Sequence, residues 1–290
     1  MPTLSICIVN WNTRALLRAC LQSIYHHPPS EPFEVIVVDN ASHDGSAEMV
    51  RQEFPQVVLI ANAENLGYAR GNNQAMQRAR GEFVLLLNPD TEVFPDTLDR
   101  AIAFLRAHPE AGAIGAKQIF PDGRVQPSVR GFPTPVNLLC EVTGLARLFP
   151  HSRKLGGYRM RWFSYDTVAE VDQPMATFLM APRAVIEQVG LMDEAFPLFF
   201  NDVDWCYRIK QAGWKIYFVS EVRILHHGGA STQQVRLSAL RESHRALEAF
   251  YRKHYRGVLN PILYALCIAA IRLGGMLRVL YARLRGGVSI

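Results

Sequence analysis

The sequence predicts an α/β fold, with a mainly parallel central sheet, helices on both faces and a C-terminal helical tail. Three observations lead there. Short uncharged apolar runs recur through the first 120 residues; each is followed by apolar residues at helical spacing; and three of the runs end in Asn or Asp. Residues 4–9 form the first such run, followed by Leu16, Leu17, Cys20, Leu21 and Ile24 on one helical face. Residues 33–38 are a second strand, after which Ser42 or Asp44 can cap a helix carrying Met49, Val50 and Phe54. Strands at 57–61, 83–87 and 113–117 and helices at 68–80 and 95–108 continue the alternation. The turn Pro121-Asp122-Gly123-Arg124 ends it, and residues 125–170, rich in Pro, Gly, Arg and aromatics, lack a period and read as an irregular, substrate-facing insertion. Order returns with an apolar run at 175–180, a helix at 182–189, a helix at 201–212 ended by Gly213, and strands at 215–219 and 222–225. A long helix from Ser231 then presents Val235, Leu240, Leu247, Phe250 and Tyr251.

Composition fits this reading. In 290 residues, 49% are apolar and 20% charged, which excludes a disordered, collagenous or multi-span membrane chain. The net charge of +5 is unevenly spread: residues 236–290 carry +8, leaving −3 for the rest. Cys7, Cys20, Cys140, Cys206 and Cys267 form no CxxC pair and no metal-ligand spacing, so a reducing compartment is expected. The N-terminus has no basic segment ahead of its strand-length apolar run, so no signal peptide is expected.

In open α/β sheets ligands bind beyond the carboxyl ends of the strands. Here those ends read Asn10-Trp11-Asn12, Asp39-Asn40-Ala41-Ser42 and Asn88-Pro89-Asp90. From its place after four β-branched residues, Asp39 can accept from a ribose hydroxyl or a base NH, or can cap a loop. The stretch Asn65 to Asn73 has glycines at 67 and 71 where a loop enters a helix, which would offer backbone NH groups and a positive dipole end to an anion beside Arg70. It matches neither GxGxxG nor GxxxxGK[ST], so neither a nicotinamide enzyme nor a P-loop ATPase is indicated. Asp90 is either a turn carboxylate beside Pro89 or an oxygen ligand for a hard divalent cation.

Seven blocks in order, SICIVNWN, EVIVVDNASHDGS, NLGYARGNN, LLLNPDTEV, VDQPMATFLMAPR, NDVDWCYRIKQAGW and HHGGAS, resemble family 2 glycosyltransferases of the bacterial rhamnosyltransferase-like branch over residues 4–232. The resemblance implies a GT-A fold and inverting transfer of a sugar from a nucleotide diphosphate donor, assisted by Mg2+ or Mn2+. It implies a nucleotide-sugar-binding half at 1–120, an acceptor-binding and catalytic half at 121–231, and an appended helical segment at 232–290. By the same resemblance Asp39 contacts base or ribose, Asn65, Gly67 and Asn72 belong to the donor loop, and Asn88-Pro89-Asp90 matches the DxD motif with Asn in its first acidic place. Asp90 is then a metal ligand, with His226, or else the adjacent His227, completing its shell, and Asp202 is the general base. Asp204, four residues before Arg208, is expected to pair with it on the solvated face. Asp202, at a helix start, is expected to have its ionised form favoured by the dipole. Two departures stand out: Asn201 where the pattern has Glu, and Ala176 where it has Gly. They leave room for a non-catalytic, nucleotide-sugar-binding scaffold. Rhamnose from a dTDP donor is the implied sugar, with a UDP- or GDP-hexose the alternative, and a lipid-linked or surface glycan the implied acceptor.

After Pro261 ten apolar residues precede Arg272, and Arg278, Arg283 and Arg285 punctuate the remainder of the tail. A span wants about 20 uncharged apolar residues. The sequence is therefore expected to lie in the plane of an anionic membrane surface, with spanning or packing on its own domain as alternatives. This implies a peripheral protein at the cytoplasmic face of a bacterial inner membrane. No nucleic-acid-binding motif accompanies the charge, so no such partner is expected.

Overall fold

The computed structural model describes residues 1–228 and 236–284, with side chains at all of these except 236–239 and 283–284. Parallel strands β1 (Leu4–Asn10), β2 (Phe33–Asp39), β3 (Val58–Ala61) and β4 (Phe83–Leu87) build the first half of a sheet, joined by helices α1 (Arg14–His26), α2 (Ser46–Glu53) and α3 (Tyr68–Arg78). Then come β5 (Thr91–Val93), α4 (Thr97–Ala107) and β6 (Ala111–Ile119). The segment expected to be irregular contains short elements: β7 (Val125–Gln126), β8 (Val129–Arg130), α5 (Pro135–Val142), α6 (Leu145–Leu148) and β9 (Ala169–Glu170). The order ends with β10 (Gln173–Pro174), β11 (Phe178–Pro182), α7 (Arg183–Val189), α8 (Asn201–Gln211), β12 (Lys215–His226), α9 (Arg236–His254) and α10 (Pro261–Leu284). The start of the helix expected from Ser231, with Val235, lies outside the described residues, as do Gly229 and the side chains of Arg283 and Arg285.

The main sheet runs β3-β2-β1-β4-β11-β6-β12-β5, with β7 on β6 and β9 on β12, and β8 pairs with β10 in a second, two-stranded sheet. β11 is antiparallel to both β4 and β6, whereas β12 is parallel to β6. This is the expected mainly parallel α/β sheet. The two strands expected at 215–219 and 222–225 are one, β12, whose register on β6 shifts between Val219 and Arg223. A bulge lets a strand continue through such a shift while bending.

Side chains on a strand alternate between faces, so one sheet feeds two cores. Leu4, Ile6 and Ile8 of β1 pack with Leu17 and Leu21 of α1, Met49 of α2 and Leu98 of α4. Cys7 and Val9 face the other way, toward Met76 of α3, Val185 of α7, Trp205 of α8 and Phe250 of α9. All five cysteines are free and buried. Helix α10 packs along α9 and beside α5, burying Cys267 and Ile271 while Leu266, Leu273 and Leu277 stay exposed. Its stretch Pro261–Ala282 is long and apolar enough to cross a membrane, with 11% of an 18-residue window of it buried.

Candidate active site

Strands β1, β2 and β4 end side by side, because β1 pairs with both of the others in parallel. Asp39 is buried at the end of β2, where its Oδ2 accepts from Asn10 Nδ2 at 2.8 Å and its Oδ1 from the Ser42 amide at 2.9 Å. Asn10 itself is fully buried and also receives the Thr13 hydroxyl at 2.6 Å, so it stands behind Asp39 as a support. Asn12, in the left-handed region with φ 52°, accepts from the His43 amide and fastens the turn after β1 to the turn after β2. Each carboxylate oxygen has a second lone pair, so Asp39 keeps capacity for a further donor.

The donor loop differs from expectation at the N-terminus of α3. Its first amides are already used: Gly67 N donates to Asn65 Oδ1 at 2.9 Å, and Tyr68 N and Ala69 N donate to the Pro197 carbonyl at 2.7 and 3.2 Å. These groups are a capped helix end rather than an open anion cradle. Gly67 is required there, with φ 82° and an added Cβ only 2.9 Å from the Pro197 oxygen. Asn72 is buried and bonds the Tyr68 carbonyl one turn back, and Arg70 is exposed beside Glu194, 3.9 Å away.

At the end of β4, the Asn88 amide donates to Thr177 O at 3.0 Å, and Asn88 Oδ1 accepts from the Tyr68 hydroxyl at 3.1 Å. The same hydroxyl lies 3.1 Å from Ala176 O. Asp90 is buried with its Oδ1 3.4 Å from His226 Nε2, and His226 sits at the last position of β12, in register with Thr91. His226 Nδ1 is 2.7 Å from Gln126 Oε1 on β7, a contact that orients the ring with Nε2 toward Asp90. Two atoms bound to one ion at about 2.1 Å each are separated by about 3.0–3.4 Å, so the pair fits a divalent metal. The neighbouring His227 ring is engaged elsewhere, with Nε2 2.8 Å from Glu92 Oε1. Among the described residues no cluster of three or more His, Cys, Asp or Glu forms a closed protein cage, so such an ion would draw its other ligands from substrate and water.

Asp202 is half-buried in the first turn of α8. Its Oδ2 accepts from Gln173 Nε2 at 2.9 Å and from the Ala176 amide at 3.3 Å, and its Oδ1 from the Val203 amide at 2.9 Å. Burial pushes its pKa above the usual carboxylate value, and the hydrogen-bond donors around it only partly offset that. The expectation that the helix start would favour the ionised form is not met, because desolvation outweighs the hydrogen bonds to the carboxylate. Tyr68 reports how these groups gather, since burial and the charges of Asp202 and Asp90 raise its hydroxyl together. Asn201 closes the helix start, accepting from the Asp202 amide at 2.8 Å and donating to Phe196 O at 3.2 Å. Sequence reasoning missed Gln126, Gln173, Tyr68 and Thr177, because each acts by where it is held. Tyr68, Gln173 and Thr177 lay inside recognisable blocks, whereas Gln126 lay in none.

The sequence profile described as "Glycosyl transferase family 2" matches residues 5–166, more than half of the chain. The chain belongs to glycosyltransferase family 2. It is similar to the N-acetylglucosaminyl-diphospho-decaprenol L-rhamnosyltransferase of Mycobacterium tuberculosis, 28% identical over 241 residues that cover 78% of this chain and 76% of the relative. An uncharacterized Sinorhizobium fredii protein, y4gI, is 30% identical over 79% of this chain and 25% of its own. In fold the chain is similar to a mannosyltransferase of Pyrobaculum calidifontis solved with GDP-Man and Mn2+, with TM-score 0.61 and 19% identity over all of this chain and 76% of that one. GalNAc-T7, solved with UDP, GalNAc and Mn2+, superposes with TM-score 0.58 at 16% identity, over 86% of this chain and 48% of its own. The architecture is that of the GT-A glycosyltransferases, and the chain is a nucleotide-sugar glycosyltransferase of this family.

Asp204, two residues after Asp202, pairs with Arg208 as expected, at 2.8 Å, but in the interior rather than on a solvated face. Helix α9 covers this side of α8 and brings His254 Nε2 and Lys253 Nζ each to 2.7 Å from Asp204 Oδ1. Burial alone would raise this carboxyl, but the bonds from His254, Lys253 and Arg208 outweigh it and bring it down to about 2. A carboxyl lowered on folding adds stability above its unfolded value near 3.8, lost as pH falls through the folded value. The contribution is about 2 kcal/mol by the standard conversion. Denaturant unfolding of Asp204→Asn should therefore show reduced stability at neutral pH and a flattened fall between pH 4 and 2. Equal acid dependence in variant and wild type would contradict the clamp.

Proposed function

We propose that this glycosyltransferase is inverting and metal-dependent, moving rhamnose from dTDP-rhamnose to a lipid-linked or cell-surface polysaccharide acceptor. The observation that carries the reading is a relay of hydrogen bonds between the two halves of the chain. Asp202 is bonded to the Ala176 amide, and the Tyr68 hydroxyl shares its one proton between the Ala176 carbonyl and the side-chain oxygen of Asn88, two residues before Asp90. A candidate base and a candidate metal ligand are thereby held at one end of one sheet. The sugar follows from similarity to the mycobacterial rhamnosyltransferase, whose described acceptor is a diphospho-decaprenol lipid.

In this reading Asp202 takes the proton from the acceptor hydroxyl as its oxygen attacks the anomeric carbon of the donor. A raised carboxyl is a stronger base than an exposed Asp, and the Gln173, Ala176 and Val203 donors fix where its lone pairs point. Asp39, steadied by Asn10 and Ser42, receives the base or ribose, while Asn12, Asn65, Gly67, Arg70 and Asn72 shape the donor loop. Asp90 and His226 would hold Mg2+ or Mn2+, with Gln126 orienting His226. When bound, that ion stabilises the negative charge of the departing diphosphate. Asn201 caps α8 through its amide, a task that needs no acidic group, which favours catalysis over a scaffold role.

Residues 1–120 form the donor half in this reading and 121–231 the acceptor half. The tail would rest in the plane of an anionic membrane at the cytoplasmic face of a bacterial inner membrane. Arg272, midway along α10, bonds Glu248 of α9 at 2.7 Å, as befits a helix docked sideways on its own domain.

With dTDP-rhamnose and Mn2+, Asp202→Asn should lower turnover by about 100- to 10,000-fold while donor affinity by calorimetry stays near wild type. Full turnover in that variant would remove Asp202 as the base. Gln173→Leu deletes a hydrogen bond to the ionised carboxylate, so Asp202 should titrate higher and the acid limb of the rate profile should move to higher pH. An unmoved limb would count against Gln173 as a positioning residue.

A further inference from the structure

We infer that the groove between α9 and α10 binds one anionic phospholipid of the bilayer, its phosphate held by Arg241 and Arg245 and its acyl chain lying on Ile271, Met276 and Leu280. The inference rests on the membrane reading above and gives it a specific site.

The groove has a volume of about 650 Å³, within the range of small-molecule pockets. Its two sides differ chemically. Along α9, Arg241 and Arg245 stand one turn apart, exposed and without an ion-pair partner among the described residues. The acidic residue lining the groove, Glu248, is already neutralised, taking Arg252 at 2.6 Å and Arg272 at 2.7 Å, so it does not compete for them. Along α10 the wall is aliphatic, and Gly275 brings that helix close to His244, with an added Cβ 3.0 Å from the ring. Both ring nitrogens of His244 are buried and lack a hydrogen-bond partner.

An inorganic anion would use the arginines but leave the aliphatic wall wet; an uncharged lipid would use the wall but leave the arginines unmatched. A phosphate head on an acyl chain matches both. The surroundings point to the bilayer as its source. Leu273 and Leu277 of α10 are exposed at the groove, and α5, which packs beside α10, also exposes Val136 and Leu139.

The test uses the full chain with phosphatidylcholine vesicles, with and without phosphatidylglycerol, read by flotation and by native mass spectrometry after mild detergent extraction. Wild type should float only with the anionic vesicles and retain one phosphatidylglycerol, which excess inorganic phosphate does not displace. Met276→Trp fills the groove without changing charge or reducing apolar surface, so it should still float but lose the retained lipid. Arg241→Ala/Arg245→Ala should retain about tenfold less lipid, whereas Arg256→Ala, an exposed arginine outside the groove, should match wild type. Wild type that floats yet retains no lipid, a Met276→Trp variant that still retains it, or displacement by phosphate would each overturn the groove and leave the membrane reading standing. Failure of wild type to float on either vesicle would overturn both, while donor turnover in solution would remain a separate matter.

Discussion

The antiparallel pairing of β11 with β4 is the constraint on which the rest of the site depends. It sets Phe178 opposite Leu87 and Pro182 opposite Phe83, and so lays the chain just before β11 against the chain just after β4. Thr177 and Ala176 then meet Asn88 and Tyr68, and Asp202 reaches the Ala176 amide. A one-residue slip would turn each of these side chains to the opposite face of the sheet. The register is held because Phe178, Leu179, Met180 and Ala181 are all fully buried between two cores.

Two carboxylates on one turn of α8 show how burial acquires opposite meanings. Asp202 and Asp204 both lose water; Asp202 is compensated only by neutral donors and is raised, while Asp204 is compensated by three cationic or ionisable side chains and falls to about 2. Charges stabilise an ionised carboxylate far more than dipoles do where the dielectric is low. One helix thus carries a carboxyl raised by burial and, on its other side, a carboxyl that stays ionised and ties down α9.

The first half of the fold was legible because buried parallel strands leave a strong trace: uncharged runs such as residues 4–9 and 83–87, each followed by a helical period. The strand-end residues Asp39 and Asp90 were legible for the same reason. What the sequence concealed was anything two or three residues long or set by tertiary contact. Strands β7 and β10 have no period to read, yet they supply Gln126 and Gln173. The capped amides at 67–69 could not be foreseen, because their acceptor is the Pro197 carbonyl, more than a hundred residues away. Asp204 looked solvated because its helix alone does not reveal that α9 covers it.

The central claim is that Asp90 and His226 share one divalent ion at the end of the sheet where Asp202 is held. Diffraction data collected near the manganese absorption edge, from crystals grown with Mn2+ and a nucleoside diphosphate, test it most directly. The account predicts an anomalous peak within about 2.5 Å of both Asp90 Oδ1 and His226 Nε2, lost in His226→Ala. A peak coordinated by other residues, with these two unligated, would contradict it.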